Sequence, residues 1–291
     1  MKQLHHYQYD FIEITLPNVN RSQIKWQHLK PHPTLHNYYQ LKANSSLHGD
    51  RFGMFVNGNG FLKIKTSIPY LLHNHNYISV DESDLLQTIL LLSDIIGLKL
   101  IKSHVTQIEY GAYERINQEA REYLSKIIGV YDYQIEKSSN HLKMFGNGKL
   151  HYKIYDAVKN AKSKKTYRRG NYPKENLIKH ELKLTDVSKV MKKPTSVEQL
   201  CQQSTKEYFD TMLHTHHSSL CLEKQLCIEP IGNTFSDVLY AGLKQLEQQY
   251  GQSTYTLVSK LIDTMKLSPS QKSKRRKSLQ QLETIYNEKA P

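Results

Sequence analysis

Three stretches carry side chains suited to one reaction. In Leu150-His-Tyr-Lys-Ile-Tyr155, apolar Leu150, Tyr152 and Ile154 alternate with His151, Lys153 and Tyr155. A strand sends successive side chains to opposite faces, so the last three share a face. By the same alternation, Leu177–Leu184 groups Lys179, Glu181 and Lys183 against Ile178, His180 and Leu182. In Val105–Tyr110, Glu109 lies on the side of Gln107, opposite Ile108. Three strands could therefore present a tyrosine and two carboxylates, framed by lysines, on one polar sheet face. Such a set suits transfer at phosphorus, in which a phenolate attacks a phosphodiester and becomes covalently linked, conserving bond energy for rejoining. A Mg²⁺ or Mn²⁺ ion held by carboxylates, alone or with a histidine, would polarise the scissile phosphate. A lysine nearby would lower the phenol's pKa or stabilise the developing oxyanion.

The charge of the chain points to the same kind of partner. Its 291 residues carry a net charge of +13, which favours polyanions, meaning nucleic acid or an anionic membrane surface. Between His141 and Lys183 stand Lys143, Lys149, Lys153, Lys159, Lys162, Lys164, Lys165, Arg168, Arg169, Lys174, Lys179 and Lys183, against Asp156, Glu175 and Glu181 alone. Tyr152, Tyr155, Tyr167 and Tyr172 are interleaved with these cations. Cations neutralise phosphates and aromatic faces stack on exposed bases, so this stretch reads as a DNA-binding surface. Lys272-Ser-Lys-Arg-Arg-Lys277, with Lys274, Arg275 and Arg276 at its centre, is a second basic cluster that could meet duplex phosphates or only solvate a helix end.

The elements that must hold these residues follow from periodicity. Asp10–Pro17 alternates as a strand stopped by proline. Residues 18–50 show no sustained period and read as loops with room for one short element. Arg51–Val56 and Phe61–Ser67 flank Asn57-Gly-Asn-Gly60, a hairpin signal. Asp81 or Ser83 caps a helix that reaches about Ile96, with Gly97 as its left-handed stop. Tyr113–Ile128 reads as a second helix, and Lys143–Tyr155 as a hairpin around Gly146-Asn147-Gly148. The fold class expected is α+β, a largely antiparallel central sheet with packed helices followed by a mainly helical C-terminal region. Residues 1–190 would form the catalytic domain that carries the polar face, Lys192–Ser196 a linker, and 196–291 a helical DNA-binding or partner-binding region with helices near 196–217, 235–250, 253–266 and 276–288.

The order of these segments resembles the gene II/X-type replication proteins of filamentous phages and related plasmids, and more distantly the plasmid rolling-circle initiators. Asp10–Pro17 matches the opening strand. The stretch from Leu62 to Asn76 is similar to a strand followed by S-P-x-x-hydrophobic-x-G-x-N, Val105–Glu109 to T-x-R-I-D, Lys153–Asp156 to the segment with the nucleophilic tyrosine, and Leu177–Lys183 to L-x-R-F-E-x-R. The resemblance covers about residues 10–185. It implies that Tyr155 is the nicking and joining nucleophile, that Glu109 and Glu181 are metal or active-site carboxylates, and that His75 stands at a further ligand position. The chain departs from the pattern at Ala157, where a lysine is usual; Lys159 or Lys153 could substitute through a flexible stem. Gln107 stands for an arginine and Glu109 for an aspartate.

The implied function is a rolling-circle replication initiator that binds double- and single-stranded origin DNA. It would nick one strand through a 5′-phosphotyrosine and rejoin it. Phe145-Gly-Asn-Gly-Lys149 fails as a phosphate-binding loop, because no Ser or Thr follows Lys149. With no motor of its own, the protein would need a host helicase and polymerase, and a homodimer is one form it could take. The alternatives are an initiator that binds without cutting, for which Ala157 argues, and an RNA-binding regulator. His214, His216, His217, Cys201, Cys221 and Cys227 invite zinc but miss paired C-x₂-C and H-x₃-H spacings. His73 and His75 form a His-x-His at a strand end or loop. Three cysteines suggest a reducing compartment. The longest apolar run, Leu85–Leu98, is interrupted by polar residues and falls short of the roughly 20 needed to span a bilayer. A cytoplasmic protein without membrane association is therefore expected.

Overall fold

The strand read at Asp10–Pro17 is the C-terminal part of a longer one. In the computed structural model, which describes residues 3–42, 47–48, 51–167, 170–173, 176–222, 234–250 and 253–289, β1 runs Leu4–Leu16. Two short strands follow within the stretch read as loops, β2 (Leu29–Pro31) and β3 (Tyr38–Leu41). They are too short to show a period. The hairpin β4 (Phe52–Val56) and β5 (Leu62–Ser67) forms as expected. Its positive φ falls on Gly60, while the Asn57 carboxamide accepts from the backbone N–H of Asn59 and Phe61. Helix α1 (Ile68–His73) follows directly, and α2 (Glu82–Ile96) is capped by Asp81 and closed by Gly97 in the left-handed region.

The expected helix over Tyr113–Ile128 is mostly strand. β6 runs His104–Ile116, and only Ala120–Ser125 is helical (α3) before β7 (Ile127–Val130). β6 continues because its second half has a partner: Ala112 pairs with His180 and Glu114 with Ile178 on β11 (Asn176–Leu184). Between them come β8 (Gln134–Ser139), β9 (Leu142–Asn147), β10 (Leu150–Asp156) and α4 (Ala157–Ser163). The ladder β2-β3-β4-β5-β1-β6-β11-β10-β9-β8 is a ten-stranded antiparallel sheet. β8, at its margin, is exposed along its whole length.

α5 (Val187–Met191), α6 (Val197–Leu200), α7 (Gln203–Ser218) and β12 (Leu220–Leu222) complete a compact unit of residues 1–223. Helix α7 therefore belongs with the sheet, beyond the expected boundary near 190–196. Phe209, buried on α7, meets the rings of Tyr9 and Tyr110 at 6.3 and 5.4 Å. The helix-facing side of the sheet is mostly apolar, with Ile12, Ile14, Ile108, Tyr110, Tyr152, Ile154 and Leu182 fully buried. Residues 224–291 form a second unit with α8 (Phe235–Tyr250), α9 (Thr254–Thr264) and α10 (Pro269–Lys289), packed around Tyr240, Ala241, Ile262 and Leu279.

Gly111 lets β11 lie close to β6. A Cβ there would stand 2.6 Å from the His180 carbonyl oxygen and 3.3 Å from the Glu181 Cα. Backbone cannot move aside as a side-chain tip can, so Gly111→Ala is expected to cost about 1–3 kcal/mol by overpacking. Urea unfolding measures it, and an unchanged midpoint would show that the two strands separate freely.

Candidate functional site

Strand register assembles the polar face that alternation anticipates. Glu109 pairs with Lys183, which pairs with His151; Glu181 pairs with Lys153; and Lys179 pairs with Tyr155. Paired residues share a face, so these seven side chains stand on one side of β6, β11 and β10. A cleft of about 780 Å³ opens there, lined by Tyr155, Glu181, Glu109 and Lys153, with Lys159 and Lys164 also on its wall.

A further wall residue, Asp10, carries no mark in the sequence as a site residue. Simple alternation places it with Ile12 on the helix side. In β1, however, Tyr9 faces Tyr110 and Phe11 faces Glu109, so Asp10 is the extra residue of a bulge. Bulges re-aim side chains, and this one turns the Asp10 carboxylate into the cleft, where it accepts from Ser67 Oγ (3.1 Å) and pairs with Lys179. A period-two pattern carries no mark of a bulge.

The ion pairs form a chain across four strands. Lys153 Nζ lies 3.0 Å from Glu109 Oε1 and also pairs with Glu181 Oε1, while Lys183 meets Glu109 at 3.1 Å. Lys179 Nζ, paired with Asp10, is 3.6 Å from Glu181 Oε2, and the Tyr155 hydroxyl donates to that same oxygen at 3.0 Å. Burial pushes the Glu109 carboxyl above its ordinary value, and the neighbouring Glu181 charge adds to this. Burial would raise Glu181 too, but Lys153 and Lys179 outweigh it and hold that carboxyl well below the usual range. The Tyr155 phenol is driven well above its ordinary value by burial and then by Glu181 and Asp10.

Three expected roles change. Lys179, read as a phosphate contact, has no accessible surface, because β11 runs through the middle of the sheet and Asp10 comes to meet its ammonium. His75 does not line the cleft. After α1 the chain turns through Asn74 in the left-handed region, and Asn76, the residue after His75, is the one that engages the site wall. Its carboxamide oxygen accepts from Tyr172 and its carbonyl from Tyr113, both at 2.6 Å. The interleaved tyrosines do not offer free faces as a set: Tyr152, Tyr155 and Tyr172 are buried, and Tyr167 stacks on Tyr172 at 5.5 Å.

Of the other cations, Lys149, Lys159, Lys162, Lys164 and Lys165 are exposed, and Lys143 donates to Ser138. Arg168 and Arg169 lie outside the described residues. In the second unit Lys274 and Arg275 are exposed, whereas Arg276 pairs with Asp263. Ala157, where the resemblance expects a lysine, is buried against Tyr113, Tyr172 and Leu177; Lys159 is the α4 lysine on the cleft.

Among the described residues, a group able to hold a metal ion lies on the other side of the same strands: Glu114, His180 and His217. Of the histidines first read as zinc candidates, only His217 belongs to it. His214 bonds to Tyr7, and His216 to Tyr133 and the Met212 carbonyl. Cys221 is exposed on β12, and Cys227 lies outside the described residues. Glu114 lies in a segment whose pattern suggests helix, and His180 alternates with apolar residues, so the sequence marks neither as a ligand. No family profile matches the sequence, and a comparison with curated proteins finds no significant relative. No described helix is long and apolar enough to cross a membrane.

Lys153 is the cation that Glu109 and Glu181 share. Lys153→Met keeps most of the side-chain volume and leaves the two carboxylates facing one another without it. Breaking a buried pair in this way costs about 3–5 kcal/mol. Without Lys153, Glu181 loses the foremost of the charges that hold its carboxyl low and the Glu109 carboxyl rises further, so the loss is largest at high pH and shrinks as they take up protons. Urea unfolding should show a greater loss at pH 8 than at pH 5. An equal loss at both would mean that Lys153 contributes packing and no charge pairing.

Proposed function

We propose that this chain is a rolling-circle replication initiator whose first unit nicks one origin strand through Tyr155. The observation that carries the reading is the Tyr155 hydroxyl, hydrogen-bonded to Glu181 on the wall of a cleft whose other walls carry lysines. A phosphodiester entering that cleft meets a nucleophile, a base and cations together. The Tyr155 oxygen attacks phosphorus as Lys153 turns from Glu181 to the entering phosphate, which restores the basicity of that carboxylate, and the phenol proton passes to it. Lys153 stabilises the charge on the non-bridging oxygens. The P–O3′ bond breaks, and Lys159 supplies the proton with which the 3′-oxygen leaves as a hydroxyl. The 5′-phosphotyrosine preserves the bond for rejoining by the reverse sequence.

The metal this reading calls for is Mg²⁺ or Mn²⁺. The oxygen donors Asp10, Glu109 and Glu181 have the right chemistry for a hard ion. In their present arrangement they do not fit one, because the Lys153 ammonium already bridges Glu109 and Glu181 and Lys179 holds Asp10.

That same lysine favours a second reading, an origin-binding protein that does not cut. A phenol that is 8% exposed, raised in pKa and faced by three carboxylates is poorly disposed to ionise until those ion pairs rearrange. Both readings place DNA along the exposed lysines and draw on a host helicase and polymerase for unwinding and synthesis.

The two separate on a supercoiled plasmid carrying the DNA that flanks the protein's own gene, incubated without metal, with Mg²⁺ and with Mn²⁺. Nicked circles and a covalent protein–DNA adduct from the wild type, with neither from Tyr155→Phe, are expected. Retention of the plasmid without a nick under every condition would leave only the binding reading.

Salt dependence tests the interface itself. Each phosphate contact removed lowers the slope of log K against log salt by about one. The double variant Lys162→Ala/Lys164→Ala should therefore reduce that slope by roughly two in a duplex-binding titration. An unchanged slope would place the DNA elsewhere.

A further inference from the structure

Beneath the polar face, the even-numbered positions of β6 and β11 turn a different set of side chains toward α7. Glu114 is 1% exposed and His180 fully buried, and both come from neighbouring strands. His217 reaches them from the last turn of α7. Glu114 Oε2 stands 2.9 Å from His180 Nε2 and 3.5 Å from His217 Nε2. The two imidazoles lie nearly perpendicular, at 88°, with centroids 4.8 Å apart.

We propose that Glu114, His180 and His217 bind a divalent ion of borderline softness, Zn²⁺ foremost, which ties α7 to the sheet. Two nitrogens and one carboxylate oxygen form a donor set that suits zinc better than Mg²⁺ or Ca²⁺, which take oxygen ligands. In a tetrahedral site with metal–ligand bonds of roughly 2.0–2.1 Å, ligand atoms stand about 3.3 Å apart, and the two separations here bracket that value. The surroundings supply the outer partners such a site needs. His180 Nδ1 is 2.7 Å from the Tyr152 hydroxyl, so with Nε2 turned to the ion, Nδ1–H donates to Tyr152. This fixes the tautomer as a second partner does in zinc sites. The Tyr123 hydroxyl donates to Glu114 at 2.9 Å and orients the carboxylate. His217 keeps 12% of its side chain accessible, so the ion enters from its side. The site lies on the opposite face from Tyr155, and the proposal stands whether or not that tyrosine cuts DNA.

The full chain, purified without a histidine tag, dialysed against Zn²⁺ and then freed of loose metal, should carry about one zinc per molecule by elemental analysis. His217→Ala alters a half-buried ligand and should lose at least nine-tenths of that zinc. His214→Ala on the same helix should retain it. The Tm of the wild type should fall with EDTA and return with Zn²⁺, while that of His217→Ala should respond to neither. Tyr152→Phe should bind zinc roughly tenfold more weakly through the loss of its outer partner. A wild type that holds no zinc after dialysis overturns the proposal, as does a His217→Ala protein that holds as much as the wild type. Loss of zinc from Glu109→Gln with retention in His217→Ala would assign the ion to the other face, and would overturn it equally.

Discussion

A lysine with no accessible surface keeps its charge only if the fold brings anions to it, and Lys179 sits in the middle of a ten-stranded sheet. The surrounding structure answers this demand. β1 takes in one extra residue so that Asp10 reaches the ammonium. Glu181, two positions along on β11, is drawn to the same charge and is itself held by Lys153. Lys153 then gathers Glu109, and Glu109 gathers Lys183. Each group is tolerable at depth because the next one is present, as buried charges require. Tyr155 hangs its hydroxyl on this chain of charges, so its ionisation is governed by groups on three other strands.

The same two strands carry a second polar cluster on their other side. Odd positions of β6 and β11 supply Glu109 and Glu181; even positions supply Glu114 and His180. Gly111 sits between the two sets and admits the close approach of the strands on which both depend. The clusters differ in kind. The upper one is lined with ammonium groups and opens to a cleft, while the lower one is made of imidazoles beneath a helix.

Where one face of an element is apolar and the other polar, the chain could be read directly. Alternation in 105–110, 150–155 and 177–184 placed Glu109, Glu181, Lys153 and Tyr155 together, and Asp81 and Gly97 bounded α2 as their types require. The failures share a cause, which is that the deciding partner is distant in sequence. Tyr113–Ile116 looks helical until β11 offers it hydrogen bonds. Asp10 looks inward-facing until the bulge against β6 turns it. Lys179 looks like a surface cation until the strands on either side cover it. His75 was displaced by a single left-handed residue, Asn74, which sends Asn76 to the site wall instead.

The margin of the sheet at β8 has a bearing on how the molecule behaves in company. An exposed outer strand offers unpaired backbone groups to any other strand, which is how soluble sheets come to stack into fibres. Here the register of β8 slips between Ile135 and Lys137, and Glu136, the residue at the slip, folds inward to His151 at 2.8 Å. It passes over Gly146, where any Cβ would collide with its carboxylate. The border is left bent and charged, a poor template for an eleventh strand. Gly146, on the strand next to that of Tyr155, thus makes room for the carboxylate that blunts this edge.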